Sequence, residues 1–155
     1  MQRASIAPLL AMAILGGGLA VTWHGPVDAA GSVIKQRQAI FDTFGEAVKE
    51  PGAMLRQERA FDLAVVQASL KAIAEGPPKL KSLFPEDSKT GGNTEALPTV
   101  WTMNADFMKL LDKLAIDAAA AQGAIRDEAS FQREWGKVSA NCRACHKTYR
   151  VLPKS

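Results

Sequence analysis

Apolar side chains recur along most of this 155-residue chain at intervals of three and four, the spacing that lines one face of an α-helix. Beyond an apolar N-terminal stretch, the pattern predicts four helices. The first covers about residues 32–49, with Ser32 as N-cap and Val33, Arg37, Ile40, Phe41, Phe44 and Val48 at helical spacing; Pro51-Gly52 is expected to stop it. The second covers about residues 58–75 and turns Phe61, Val65, Val66, Leu70 and Ile73 inward, with Gly76-Pro77-Pro78 as its expected end. A loop over about residues 76–97 follows, longer than most connections, which favours a functional or cofactor-covering role.

Pro98 suits the first turn of a third helix that runs to about residue 122, with Trp101, Ala105, Met108, Leu111, Ala115 and Ala118 as its inner stripe and Gly123 as terminator. The fourth runs from Asp127 to about residue 151, ending before Pro153. Phe131, Trp135, Val138, Cys142, Cys145 and Tyr149 form its stripe. Nothing reads as a strand pair. The expected fold is all-α, an antiparallel four-helix bundle occupying residues 30–155.

Composition changes this picture little. Hydrophobic residues make up 47% and charged residues 23%, as in a globular domain. The net charge of +3 comes without the dense, aromatic-laced basic patches that nucleic-acid binding needs. Residues 1–29 read as an export signal: Arg3, an apolar run from Ile6 to Val21, then Ala29, Ala30 and Gly31, with a cut after Ala29. The alternative is an uncleaved anchor. The run is about long enough for a short span, although Gly16, Gly17 and Gly18 weaken it as a helix. No second stretch could span a bilayer, so the mature chain is expected to be free of the membrane. The signal and the cysteine pattern together point to a bacterial periplasm.

Candidate chemistry is concentrated in Cys142-Arg143-Ala144-Cys145-His146. With the signal removed, these are the only cysteines and the only histidine, because His24 lies in the signal. C-x-x-C-H is the attachment pattern for c-type haem. Two thiols add to the two vinyl groups on one edge of the porphyrin, and the adjacent imidazole reaches the iron. On a helix, i, i+3 and i+4 share a face, so all three groups can address one macrocycle. Three other readings compete. A disulfide would close a very short loop and stabilise little. A thioredoxin-like pair belongs at a helix N-terminus beside a strand. A zinc site needs another strong ligand. One covalently bound haem c is the expected cofactor, with His146 as its metal ligand.

The chain resembles the class II cytochromes c, cytochrome c′ in particular. The resemblance rests on Arg37-Gln38 in the first helix, Phe84-Pro85 followed by Asp87-Ser88-Lys89-Thr90-Gly91-Gly92 in the loop, Pro98-Thr99-Val100-Trp101, and Cys142 to His146 followed by Tyr149-Arg150. It implies that Arg37 and Gln38 lie beside the haem, Arg37 facing a propionate. It implies that Ser88 and Lys89 approach the haem edge and that Arg150 lies near the proximal histidine; the alternative for Arg150 is a solvated charge at the helix end. In the low-spin branch, resembling cytochrome c-556, a methionine three residues after the glutamine ligates the iron; here that place is Phe41. A phenyl ring has no lone pair to give. Among other methionines, Met54, Met103 and Met108 are candidates, with core packing the usual role of Met108.

The resemblance therefore implies a five-coordinate, largely high-spin iron that binds a diatomic gas, NO or CO, and exchanges electrons. The alternative is a dedicated periplasmic electron carrier, for which the seven basic residues between Arg126 and Lys154, against three acidic ones, would steer an acidic redox partner protein. A peroxidase-like enzyme would need a distal histidine; the chain is read as a non-enzyme. A homodimer through the first two helices is the expected assembly.

Overall fold

The computed structural model describes residues 29–151. Its elements are α1 (Ala29–Ala47), α2 (Lys49–Leu55), α3 (Leu63–Leu80), a 3₁₀ turn (Glu86–Ser88), α4 (Thr99–Thr102), α5 (Asn104–Ala124) and α6 (Glu128–Tyr149). The long helices α1, α3, α5 and α6 form the expected four-helix bundle. The apolar run of the expected signal and His24 lie outside the described residues. No described helix is long and apolar enough to cross a membrane.

Several boundaries differ from the sequence pattern. The first helix already includes Ala29, so Ser32 lies inside it and is not its N-cap. Pro51-Gly52 does not stop the first helix; α1 already ends at Ala47, and Pro51 sits in the first turn of α2. A first-turn proline loses no helical hydrogen bond, because the first N–H groups of a helix have no intrahelical acceptor. The second helix starts at Leu63 because Asp62 caps it, accepting from Ala64 N at 2.9 Å and Val65 N at 3.2 Å. It then runs through Gly76-Pro77-Pro78 to Leu80. The prolines fall in its last turns, so they leave only two carbonyls without helical donors. Gly76 earns its place by close approach: a Cβ there would lie 2.2 Å from the Phe44 ring, so α1 and α3 meet at this point. The loop is correspondingly shorter than expected, starting after Leu80.

The third helix is broken. Met103 leaves helical geometry (φ −121°, ψ 38°), ending α4 and restarting the chain as α5. The break rotates the inward face. Ala105 is exposed, whereas Phe107 and Leu114 join Leu111 and Ala118 in the core. Asp127 begins the fourth helix as the pattern predicts.

The core has two parts. One gathers Met54, Val66, Leu70, Ile73, Ala118, Phe131, Trp135 and Val138; the other gathers Leu80, Phe84, Val100, Phe107, Leu111 and Tyr149. Full burial of a Leu- or Phe-sized side chain is worth about 1.5–3 kcal/mol, so these clusters carry most of the fold's stability. Met54 is thereby a core residue. Helix α1 packs on α3, α3 on α5 and α5 on α6, while α1 and α6 have no comparable packing. That side of the bundle is where the candidate residues of α1 and α6 stand.

Candidate functional site

Helix α6 carries the cysteines and the histidine, and its start is locally encoded. Asp127 Oδ1 accepts from Ser130 N at 2.7 Å, and Ser130 Oγ accepts from Asp127 N at 3.0 Å, a reciprocal cap. From there the buried stripe Phe131, Trp135 and Val138 continues in register to Cys142, Cys145 and Tyr149. Cys142 packs on the first core cluster and Cys145 on the second, so the pair spans the seam between them.

Both thiols are free and half-buried. Burial raises the Cys142 thiol above its ordinary range. Burial, with a smaller push from Cys142, raises Cys145 to about 11. Both are therefore protonated at neutral pH, the opposite of the thiolate that a thioredoxin-like pair requires. For His146, burial lowers the pKa first, Arg150 lowers it further and Glu95 opposes both. The neutral imidazole, the form with a lone pair to donate, is favoured.

The C-terminal end of α6 is tied down. Residues 95–97 cross it in an isolated antiparallel bridge between Ala96 and Arg150. Leu97 N donates to Tyr149 O at 2.9 Å and Val151 N to Glu95 O at 2.8 Å. Thr99 Oγ1 donates to Thr148 O at 2.6 Å. The Arg150 side chain is not a free solvated charge; its Nε and Nη2 both meet Glu95 Oε2 at 2.7 Å.

On α1, Arg37 is 2% exposed. Its Nη1 donates to Leu83 O at 3.0 Å and Ser88 Oγ at 2.8 Å; its Nη2 donates to Ser88 O at 2.9 Å and Thr94 Oγ1 at 2.8 Å. The guanidinium also lies over the Phe84 ring, 4.7 Å from its centroid, with Trp101 at 5.7 Å. These neutral acceptors and aromatic faces offset the cost of burying the cation. Gln38 Nε2 donates to Asn93 O at 3.2 Å, so the Arg37-Gln38 pair holds the loop to α1. Of the two expected loop residues, Ser88 is brought to Arg37, while Lys89 pairs with Glu86 on the surface. One helical turn beyond Arg37, Phe41 packs half-buried on the same cluster as Cys145 and meets Phe44 edge-on at 5.9 Å. Thr94 and Glu95 were not singled out by sequence; both act on partners more than 50 residues away.

The donor set fits haem c better than a bare ion. Among the described residues, no three His, Cys, Asp or Glu side chains converge as a metal site. Instead, two protonated thiols and a neutral imidazole share one helix face, and the partly buried apolar side chains Ile40, Phe41 and Phe44 of α1 pack on the same cluster as Cys145. That is the chemistry and surface a planar, largely apolar macrocycle requires.

Comparison with known proteins agrees. A family model described as Cytochrome C′ matches residues 32–150. A cytochrome c′ of Rhodopseudomonas palustris (strain ATCC BAA-98 / CGA009) is 50% identical over 150 residues, covering 97% of this chain and 98% of the relative. A cytochrome c-556 of Agrobacterium fabrum (strain C58 / ATCC 33970) is 32% identical over 128 residues, covering 82% and 86% respectively. A solved structure of cytochrome c′ from Rhodopseudomonas palustris superposes with a TM-score of 0.77 at 52% identity, over 79% of this chain and 98% of that one.

Proposed function

Since this chain belongs to the cytochrome c′ family and carries one covalently attached haem c, we propose that it is a periplasmic, high-spin haem protein that binds NO and CO where the protein gives the iron no distal ligand. The observation that carries this reading is Phe41, the residue of α1 that shares an apolar cluster with Cys145. When bound, haem c supplies an iron that changes between ferric and ferrous states and accepts a small neutral diatomic.

The chain's own residues would divide the work. Cys142 and Cys145 would hold the haem through thioether bonds, each thiol supplying sulfur to one vinyl carbon and hydrogen to the other. His146 would supply its imidazole lone pair to the iron. Phe41, on α1, would offer no ligand and would yield to an incoming diatomic. Its edge-on contact with Phe44 is worth about 0.5–1.5 kcal/mol, a toll that selects for small, strongly binding ligands. Ile40, Phe41 and Phe44 bring no hydrogen-bonding side chain, which favours NO and CO over ligands that need a polar partner. Arg37, Gln38 and Ser88 hold the loop against α1 beside this pocket. The spin state of the purified resting protein, before and after CO is added to its reduced form, tests the reading. A spectrum that CO leaves unchanged would sink it.

Electron exchange is a second reading, supported by Arg143 and Lys147, which are exposed beside His146. The basic face is smaller than the sequence suggested, because Lys137 pairs with Glu134 and Arg150 with Glu95. Val48 and Leu55, exposed at the α1–α2 corner, support a homodimer through the first helices. Sedimentation at micromolar concentration is expected to give twice the monomer mass; a monomer would remove that assignment.

A further inference from the structure

The ion pair between Glu95 and Arg150 joins two groups that share no element and lie 55 residues apart. Both side chains are substantially exposed, at 58% and 42%. Pairs of this kind add little to stability. The strap they sit on is already held by the two backbone bonds of the 95–97/149–151 bridge and by Thr99. The fold does not need this pair for strength, yet it is placed one helical turn beyond His146.

We propose that Glu95 is a positioning residue that holds the Arg150 guanidinium at the proximal end of α6, cancels its charge there, and so sets the reduction potential of the haem. The geometry supplies the reason. Nε and Nη2 of Arg150 both meet one carboxylate oxygen at 2.7 Å, which fixes the guanidinium instead of leaving it to swing in solvent. Arg150 N donates to His146 O at 3.3 Å and Glu95 meets the same arginine, so the two charges stand one helical turn from the imidazole, where a cation disfavours positive charge and a carboxylate favours it. An iron ligated by His146 gains positive charge on oxidation, so the same two groups act on it with the same signs. With Glu95 in place the carboxylate offsets the guanidinium. Without it, a bare cation faces the ferric state.

This inference rests on His146 being the iron's ligand. Loss of the wild-type absorption spectrum in H146A checks that premise separately.

The test is a charge cycle on the haem-loaded full-length protein, read by potentiometric titration. E95Q is expected to raise the midpoint potential and R150Q to lower it. E95Q/R150Q is expected to return close to wild type, because the pair and its neutral replacement carry the same net charge. The E95Q shift should shrink as salt is added, since the pair is exposed. Amide exchange at Leu97 and Val151 separates tuning from scaffolding: in E95Q both amides should keep their protection. A midpoint unchanged in E95Q would overturn the proposal. So would a double variant that fails to return, or a shift accompanied by lost protection at Leu97 and Val151, which would make Glu95 a staple of the strap and nothing more.

Discussion

A variant with both Cys142 and Cys145 replaced by alanine is expected to lose all haem staining on a denaturing gel, whereas the parent protein keeps it. The expectation follows from where the thiols stand. Each is free, half-buried and protonated, and each packs on a different core cluster at the seam of the bundle. Covalent attachment needs these two sulfurs. With both gone, only the bond from His146 and apolar contact remain, and denaturant removes both. Single replacements should each leave one thioether and retain staining. Staining that survives in the double variant would place the attachment elsewhere. The fold itself should weaken by less than the site: Cys→Ala leaves small gaps beside partly exposed positions, where truncation costs far less than in a closed core.

The second large effect concerns the other side of the haem. Phe41→Met is expected to convert most of the high-spin population to low spin and to slow or abolish CO binding. Methionine is unbranched and flexible enough to follow the space that the ring occupied. The exchange forfeits the edge-on contact with Phe44, about 0.5–1.5 kcal/mol, which an iron–sulfur bond can readily offset. Phe41→Leu, which opens the pocket without offering a ligand, should stay high-spin and bind CO faster. If F41M keeps the parent spectrum, Phe41 does not face the iron and the division of labour between α1 and α6 is wrong.

What could be read from the sequence follows the range of the interactions concerned. The start of α6 was legible because the cap between Asp127 and Ser130 is three residues long. The attachment motif was legible for the same reason, being five consecutive residues on one helix face. The stop expected at Gly76-Pro77-Pro78 failed because burial of Pro77 and Leu80 and the fit of Phe44 against Gly76 outweigh the two helical hydrogen bonds that the prolines remove. The break at Met103 was invisible for a related reason. Trp101 donates its Nε1 to Phe84 O at 2.9 Å, and Thr99 ties to Thr148, so distant contacts fix α4 independently of α5. The partners of Arg37 lie 46 to 57 residues away on an irregular loop. No local pattern encodes such contacts with the loop's carbonyls, hydroxyls and rings.

The loop illustrates how one buried cation can organise a segment with little regular structure. Gly91, Gly92 and Asn93 all adopt positive φ, which glycine tolerates freely and asparagine better than most residues. The turn they make returns the chain so that Thr94 meets Arg37 while Glu95 begins the strap across α6. Neighbouring residues of one loop thus reach α1 on one side and the end of α6 on the other. Both sides of the site are held by the same connection.

The central claim is that the residue of α1 opposite the attachment helix gives the iron no ligand. Electron paramagnetic resonance of the resting ferric protein, freshly purified with its haem attached, tests it most directly. A spectrum dominated by the high-spin signal is expected. A spectrum dominated by low-spin iron, accompanied by the charge-transfer absorption of a methionine sulfur on ferric haem, would contradict it.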